Sequence, residues 1–257
     1  MAQHSQTVLF EACVDSVASA VAAADGGAGR LELCDNLVEG GTTPSAGMIA
    51  RCSARVAIPV FVIIRPRGGD FLYDGDEVLV MEHDIDVAKE SGAAGVVIGA
   101  LCADGTIDAA LTRRLLERAR PLSVSFHRAF DMTANIYTSL DALIALGVDR
   151  VLTSGGAATA LEGGEAIAAL VRQAGGRIAI MAGGGVRPAN VGELVRRSGV
   201  DEVHARLTEA VASEMRFRTE TGVSRSLTPN EYERSVTSRL AVAAMVDALR
   251  TCGRTST

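Results

Sequence analysis

The chain has no tryptophan, a single lysine and only 4% aromatic residues. Lys89 falls in a charged helical run, so a Schiff-base mechanism, which needs a lysine amine at the site, is excluded. Blocks of basic residues are missing as well, and the net charge is -6. Nucleic acid and anionic membrane surfaces are therefore not the expected partners. No apolar run approaches the roughly 18 residues of a membrane span, and residues 1–7 are polar without the apolar stretch of a signal peptide. A soluble, cytoplasmic protein is expected. The five cysteines are odd in number and show no Cys-x-x-Cys spacing, which argues against a disulfide framework or a zinc finger and for a reducing compartment.

Glycine, by contrast, is plentiful, and four copies recur in one context. Gly27-Ala28-Gly29-Arg30-Leu31, Gly92-Ala93-Ala94-Gly95-Val96, Gly147-Val148-Asp149-Arg150-Val151 and Gly199-Val200-Asp201-Glu202-Val203 each set a glycine ahead of an apolar run. Glycine takes the left-handed conformation that ends a helix without a Cβ penalty, so each copy reads as a helix C-cap running into a strand. The copies stand about 50–65 residues apart, roughly twice the length of one βα unit, so each interval holds two units. Four double units predict an α/β fold, an eight-stranded parallel (β/α)8 barrel of the TIM type. Such a barrel usually takes about 250 residues as a single domain. The 257 residues, 48% of them apolar, match that length and supply a large core.

The remaining strands are predicted at residues 8–13, 60–65, 122–127 and 177–182. Helical spacing covers residues 14–24, 76–90, 108–119, 136–146, 161–173 and 188–197. Thr43-Pro44 and Thr228-Pro229 each put a capping hydroxyl before a proline at the first helical position, and Glu231 completes a capping box with Thr228. A closing helix over residues 229–250 is expected to follow a barrel core of about 8–206.

Function in this architecture sits at the C-terminal strand ends. Strand one ends Glu11-Ala12-Cys13 and strand two Glu32-Leu33-Cys34. Side chains alternate faces, so within each strand the Glu and the Cys share a face. A carboxylate under the outer helices would be dry and unpaired, which makes that face the barrel lumen. Strand three delivers Arg65 and Arg67, on one parity if the chain stays extended through Pro66. Strand five delivers His127, Arg128 and Asp131, strand six Thr153-Ser154-Gly155-Gly156, strand seven Gly183-Gly184-Gly185, and strand eight His204 and Arg206. Glu11, Glu32 and His127 are candidate acid–base groups. Arg65, Arg67 and Arg128 are candidate anion clamps, because guanidinium forks match carboxylate or phosphate oxygens. Gly183, Gly184 and Gly185, with His204 beside them, form a candidate backbone seat for an anion. Asp131 suits either orienting His127 or capping the next helix.

Seven runs stand out: Glu11-Ala12-Cys13-Val14-Asp15-Ser16, Leu31-Glu32-Leu33-Cys34, Glu39-Gly40-Gly41-Thr42-Thr43-Pro44-Ser45, Ile64-Arg65-Pro66-Arg67-Gly68-Gly69-Asp70-Phe71, Phe126-His127-Arg128-Ala129-Phe130-Asp131, Val151-Leu152-Thr153-Ser154-Gly155 and Met181-Ala182-Gly183-Gly184-Gly185-Val186. Together they resemble the signatures of the CutC family, the copper homeostasis proteins. The resemblance spans residues 8–206 and implies a TIM-type barrel, a cytoplasmic protein and a Cu(I)-binding role with Cys13 and Cys34 as the ligand pair. Strand eight departs from the family's pattern: Ala205 and Arg206 stand where small hydroxyl residues often follow the histidine. Two thiolates from neighbouring strands suit soft Cu(I). The competing account is that both are buried small hydrophobes, as free cysteine usually is, and that account is the one expected for Cys52, Cys102 and Cys252. Two functions follow. One is copper handling, with the copper ion as partner; the other is an enzyme, of lyase, isomerase or hydrolase type, acting on a small anionic or phosphorylated metabolite. Neither calls for a nucleotide cofactor, and a homo-oligomer is compatible with both.

Overall fold

A computed structural model describes residues 8–219 and 230–252. The repeated glycines do what their spacing implies. Gly27, Gly92, Gly147 and Gly199 all adopt positive φ, at 95°, 82°, 78° and 72°, and each hands a helix over to the next strand. The elements run β1 (Leu9–Val14), α1 (Val17–Asp25), β2 (Arg30–Leu33), α2 (Ala46–Arg55), β3 (Val60–Ile63), α3 (Gly75–Glu90), β4 (Gly95–Ile98), α4 (Ala109–Ala119), β5 (Ser123–Phe126) and α5 (Ile136–Leu146). They continue through β6 (Arg150–Thr153), α6 (Gly164–Ala174), β7 (Ala179–Gly183), α7 (Val191–Ser198) and β8 (Glu202–Ala205). Strands β1 to β8 pair in parallel and in sequence order, and β8 pairs back with β1 to close the barrel. Among the described residues no helix is long and apolar enough to cross a membrane.

Alternation along the strands sorts the interior into two compartments. Phe10, Ala12 and Val14 of β1 and Leu31 and Leu33 of β2 belong to the large apolar core between barrel and helices. Their neighbours Glu11, Cys13, Arg30 and Glu32 are buried on the other face, in the lumen. Burying a carboxylate and a guanidinium is tolerable only when they are paired. Arg30 accordingly pairs with Glu11 and Glu202, and Arg150 also pairs with Glu202. The ring of Phe61 lies against them, 5.1 Å from the Arg30 guanidinium and 5.5 Å from that of Arg150. A Cβ on Gly95 would collide with that ring, so the glycine makes its room. This layer fills the lumen below the mouth.

Three expectations about element ends need correction. Helix α2 is capped by Ser45, whose Oγ accepts from the Met48 N–H at 3.2 Å. The Thr43 hydroxyl instead accepts from the Arg65 N–H at 3.0 Å, tying the loop after β2 to the end of β3. Strand β3 stops at Ile63, short of Arg65: the Arg65 N–H goes to the Thr43 hydroxyl and not to β4, and Pro66 has no N–H to give a ladder. The closing helix begins later than expected: β9 (Thr208–Ala212) and β10 (Glu233–Thr237) form an antiparallel pair, and only then does α8 (Arg239–Thr251) start, capped by Ser238. Residues 233–237 find a strand partner in β9, which a helix there would forfeit. Glu231 lies in a turn, and Thr228-Pro229 falls outside the described residues.

Candidate metal and ligand site at the barrel mouth

Adjacent strands β1 and β2 set the register that brings the thiols together. Cys13 pairs across the ladder with Glu32, so Cys34 rises one step nearer the mouth. The two sulfurs lie 3.9 Å apart, and Cys34 Sγ is 3.4 Å from Glu32 Oε2. One donor atom from each of Cys13, Glu32 and Cys34 lies within 4.8 Å of the others, and all three residues are buried. Apolar Phe61, Ile63 and Val97 pack around the sulfurs.

The charges are set from below. Glu11 is fully buried, and burial alone would raise its pKa, but hydrogen bonds from His204 and Arg30 overcome this and hold it down at about 2. His204 Nδ1 sits 2.9 Å from Glu11 Oε1 and Nε2 sits 3.7 Å from Glu32 Oε2. Burial works against the imidazolium, yet the facing carboxylates push its pKa well above the ordinary value. Glu32 has no arginine of its own, and burial lifts it to about 8. The hydrogen bond from the Cys34 thiol, helped by His204 and opposed by burial, lowers Cys13 to about 5, while the same bond raises Cys34. The contact thus drives the two thiols apart, Cys13 towards the thiolate and Cys34 towards the thiol. Cys52 is different: it packs in the outer core, and burial pushes its thiol up to about 11.

Above this cluster opens a cavity of about 530 Å³, lined among others by Cys13, Glu32, Arg65, His127, Arg128 and His204. Arg65 is 4% exposed and its guanidinium donates to the carbonyls of Glu39, Gly41 and Gly69 at 2.8–2.9 Å. Phe71 stands between it and His127, 4.9 Å from each. His127 Nδ1 accepts from the Ala129 N–H at 3.1 Å, and burial, with Arg65 nearby, drives its pKa down to about 3. A Cβ on Gly99 would strike the imidazole, so that glycine seats the ring. Arg128 is aimed by Asp131, which accepts from its Nε at 2.8 Å, while Nη2 donates to Ser154 Oγ at 2.9 Å.

A family model described as the CutC family matches residues 8–209. The chain belongs to the CutC family. A CutC-family protein of Chromobacterium violaceum is 48% identical over 242 residues, covering 94% of this chain and 98% of that protein. The mouse copper homeostasis protein cutC homolog is 50% identical over 230 residues, covering 89% of this chain and 85% of its own length. A solved CutC structure from Streptococcus agalactiae is 37% identical with a TM-score of 0.73, over 77% of this chain and 97% of that one. Thiamine phosphate pyrophosphorylase of Pyrococcus furiosus, 15% identical with a TM-score of 0.61, shares the barrel fold.

Not every candidate in this CutC-family barrel lies in the cavity. Glu11 sits one layer beneath, locked between Arg30 and His204. Arg67 turns outward, because β3 has ended; it pairs with Glu77 and Asp70 and donates to loop carbonyls. Gly183, Gly184 and Gly185 are not among the residues that line the cavity; the Arg128 guanidinium lies beside Gly184 and the Thr159 side chain beside Gly185. Arg206 sits at the rim, 3.6 Å from Asp15. Asp131 neither orients His127 nor caps α5, which is capped by Asn135; it gathers Thr153, Ser154, Gly156 and Arg128 around one carboxylate. Sequence reasoning missed Arg30, Arg150 and Glu202. The signal was available, since Arg30 stands two residues before Glu32 and so shares its face.

Proposed function

We propose that this CutC-family protein binds Cu(I) between Cys13 and Cys34 and handles the ion in the cytoplasm as part of copper homeostasis. The observation that carries the reading is the 3.9 Å separation of two buried sulfurs. Metal–thiolate bonds of about 2.3 Å place two sulfurs sharing one ion no more than about 4.6 Å apart. The pair already meets that limit. Soft thiolates select Cu(I), and the charge balance favours a monocation: two thiolates and Cu(I) leave one negative charge, which faces the His204 imidazolium. The reading also fits the five free cysteines, which call for a reducing compartment. Murine and human relatives bear the copper homeostasis name.

The test is a Cu(I) titration of reduced protein against a chromophoric chelator. About one equivalent is expected, with a thiolate-to-copper absorption band, and Cys34→Ser is expected to weaken binding by about 100-fold or more, because a hydroxyl is a poor ligand for a soft cation. Affinity should rise with pH, since Cys34 must shed its proton to bind. Unchanged stoichiometry and affinity in Cys34→Ser would refute the site.

A further inference from the structure

Arg65 is a buried cation without a counterion. It is 4% exposed, its three hydrogen bonds go to neutral backbone carbonyls, and among the described residues no carboxylate pairs with it. Its Nε makes no hydrogen bond at ordinary distance; the polar side chain near it is the neutral Tyr73 hydroxyl, which is likewise unsatisfied. Every other buried arginine here is paired: Arg30 has Glu11 and Glu202. An uncompensated buried charge costs several kcal/mol, so a protein that keeps one generally meets it with an ion from outside.

A second orphan lies beside the first. His127 Nδ1 accepts the Ala129 N–H, so the single proton of the neutral ring sits on Nε2. That N–H is buried and unpartnered. Phe71 packs against both side chains, which makes Arg65, Phe71 and His127 one continuous wall of the cavity. Arg128, next in the chain after His127, closes the same space, with Nε and Nη2 held by Asp131 and Ser154. The cavity, about 530 Å³, falls within the range of small-molecule pockets and far exceeds what a metal ion on two sulfurs occupies. Ile63, Phe71 and Leu152 give it apolar sides.

We propose that the mouth cavity binds a small organic monocarboxylate, its oxygens on the Arg65 and His127 wall and within reach of Arg128, and its carbon skeleton along Ile63, Phe71 and Leu152. One negative charge balances Arg65. A phosphate dianion would overshoot that balance in a cavity also lined by Glu32, Glu39 and Asp131, and the glycines after β7 do not line it. The proposal does not depend on copper, and it stands or falls on metal-free protein.

The experiment uses reduced full-length protein stripped of metal. Acetate, butyrate and benzoate are compared with acetamide, butyramide, benzamide and inorganic phosphate by calorimetry and thermal shift, with the imidazole nitrogens followed by NMR. At least one carboxylate is expected to bind in the millimolar range or tighter and to move the His127 Nε2 resonance. Its amide and phosphate should bind about 10- to 100-fold more weakly, the loss of one charge-assisted contact. Arg65→Gln should weaken the carboxylate to the level of the amide. Because Arg65 also ties two loops together, Arg128→Gln, on a partly exposed side chain, supplies an independent loss of about tenfold. Equal binding of carboxylate and amide, preference for phosphate, or no carboxylate response below about 10 mM overturns the proposal. Each of these results leaves the thiol-dependent Cu(I) titration untouched.

Discussion

His127 is neutral in the fold and would ionise in the unfolded chain, which fixes a pH dependence. Its pKa is about 3 in place, against about 6.5 when free. Between those values the unfolded chain holds a proton that the folded chain does not. Stability from this residue is therefore complete above pH 6.5 and falls as pH drops towards 3, by about 1.4 kcal/mol for each pH unit. Urea unfolding of wild type and His127→Asn at several pH values between about 7 and 4.5 should show a shallower loss in the variant. Equal slopes would assign the acid sensitivity to other groups. At this scale much of the site was legible. Period-two alternation put Glu11, Cys13, Glu32 and Cys34 on the lumen face, and the structure has them there. What it could not show was where β3 stops: Arg65 and Arg67 share a parity in sequence, yet one is buried in the mouth and the other reaches Glu77 outside.

The C-terminal ends of helices were the most readable elements, because a left-handed cap leaves few residue choices. Gly147 ends α5 at φ 78°, and nothing lies within 4 Å of where its Cβ would stand. Gly147→Ala should therefore pay only the backbone penalty, lowering stability by about 1–2 kcal/mol. Chemical denaturation measures it directly, and an unchanged midpoint would show that the turn relaxes. The β9 and β10 pair was hidden for the opposite reason. Its strands are short and mostly exposed, so they carry no firm apolar alternation, and the proline and capping signals before them suggested a helix. The loop after β7 was readable as glycine-rich, but the approach of Arg128 to Gly184 was not, since that arginine arrives from a different βα unit.

Across the whole barrel, the Glu11 network joins strands that are far apart in sequence. Glu11 lies on β1, Arg30 on β2, Arg150 on β6, and Glu202 and His204 on β8. Replacing Glu11 with Ala leaves Arg30 with Glu202 alone and His204 with Glu32 alone, and breaking the two buried pairs is expected to cost about 3–5 kcal/mol. Guanidinium unfolding would measure it, and a loss below about 1 kcal/mol would mean that water or rearrangement takes over the carboxylate's role. The same network, with Phe61 and Met181, stoppers the lumen from below. A vessel stoppered at the bottom empties upward. An ion between Cys13 and Cys34 faces the cavity that Arg65 and Phe71 line, so an occupant of that cavity would act as a cork. It would lengthen the residence of an ion it never touches, and the two occupancies would be ordered in time, the ion first in and last out.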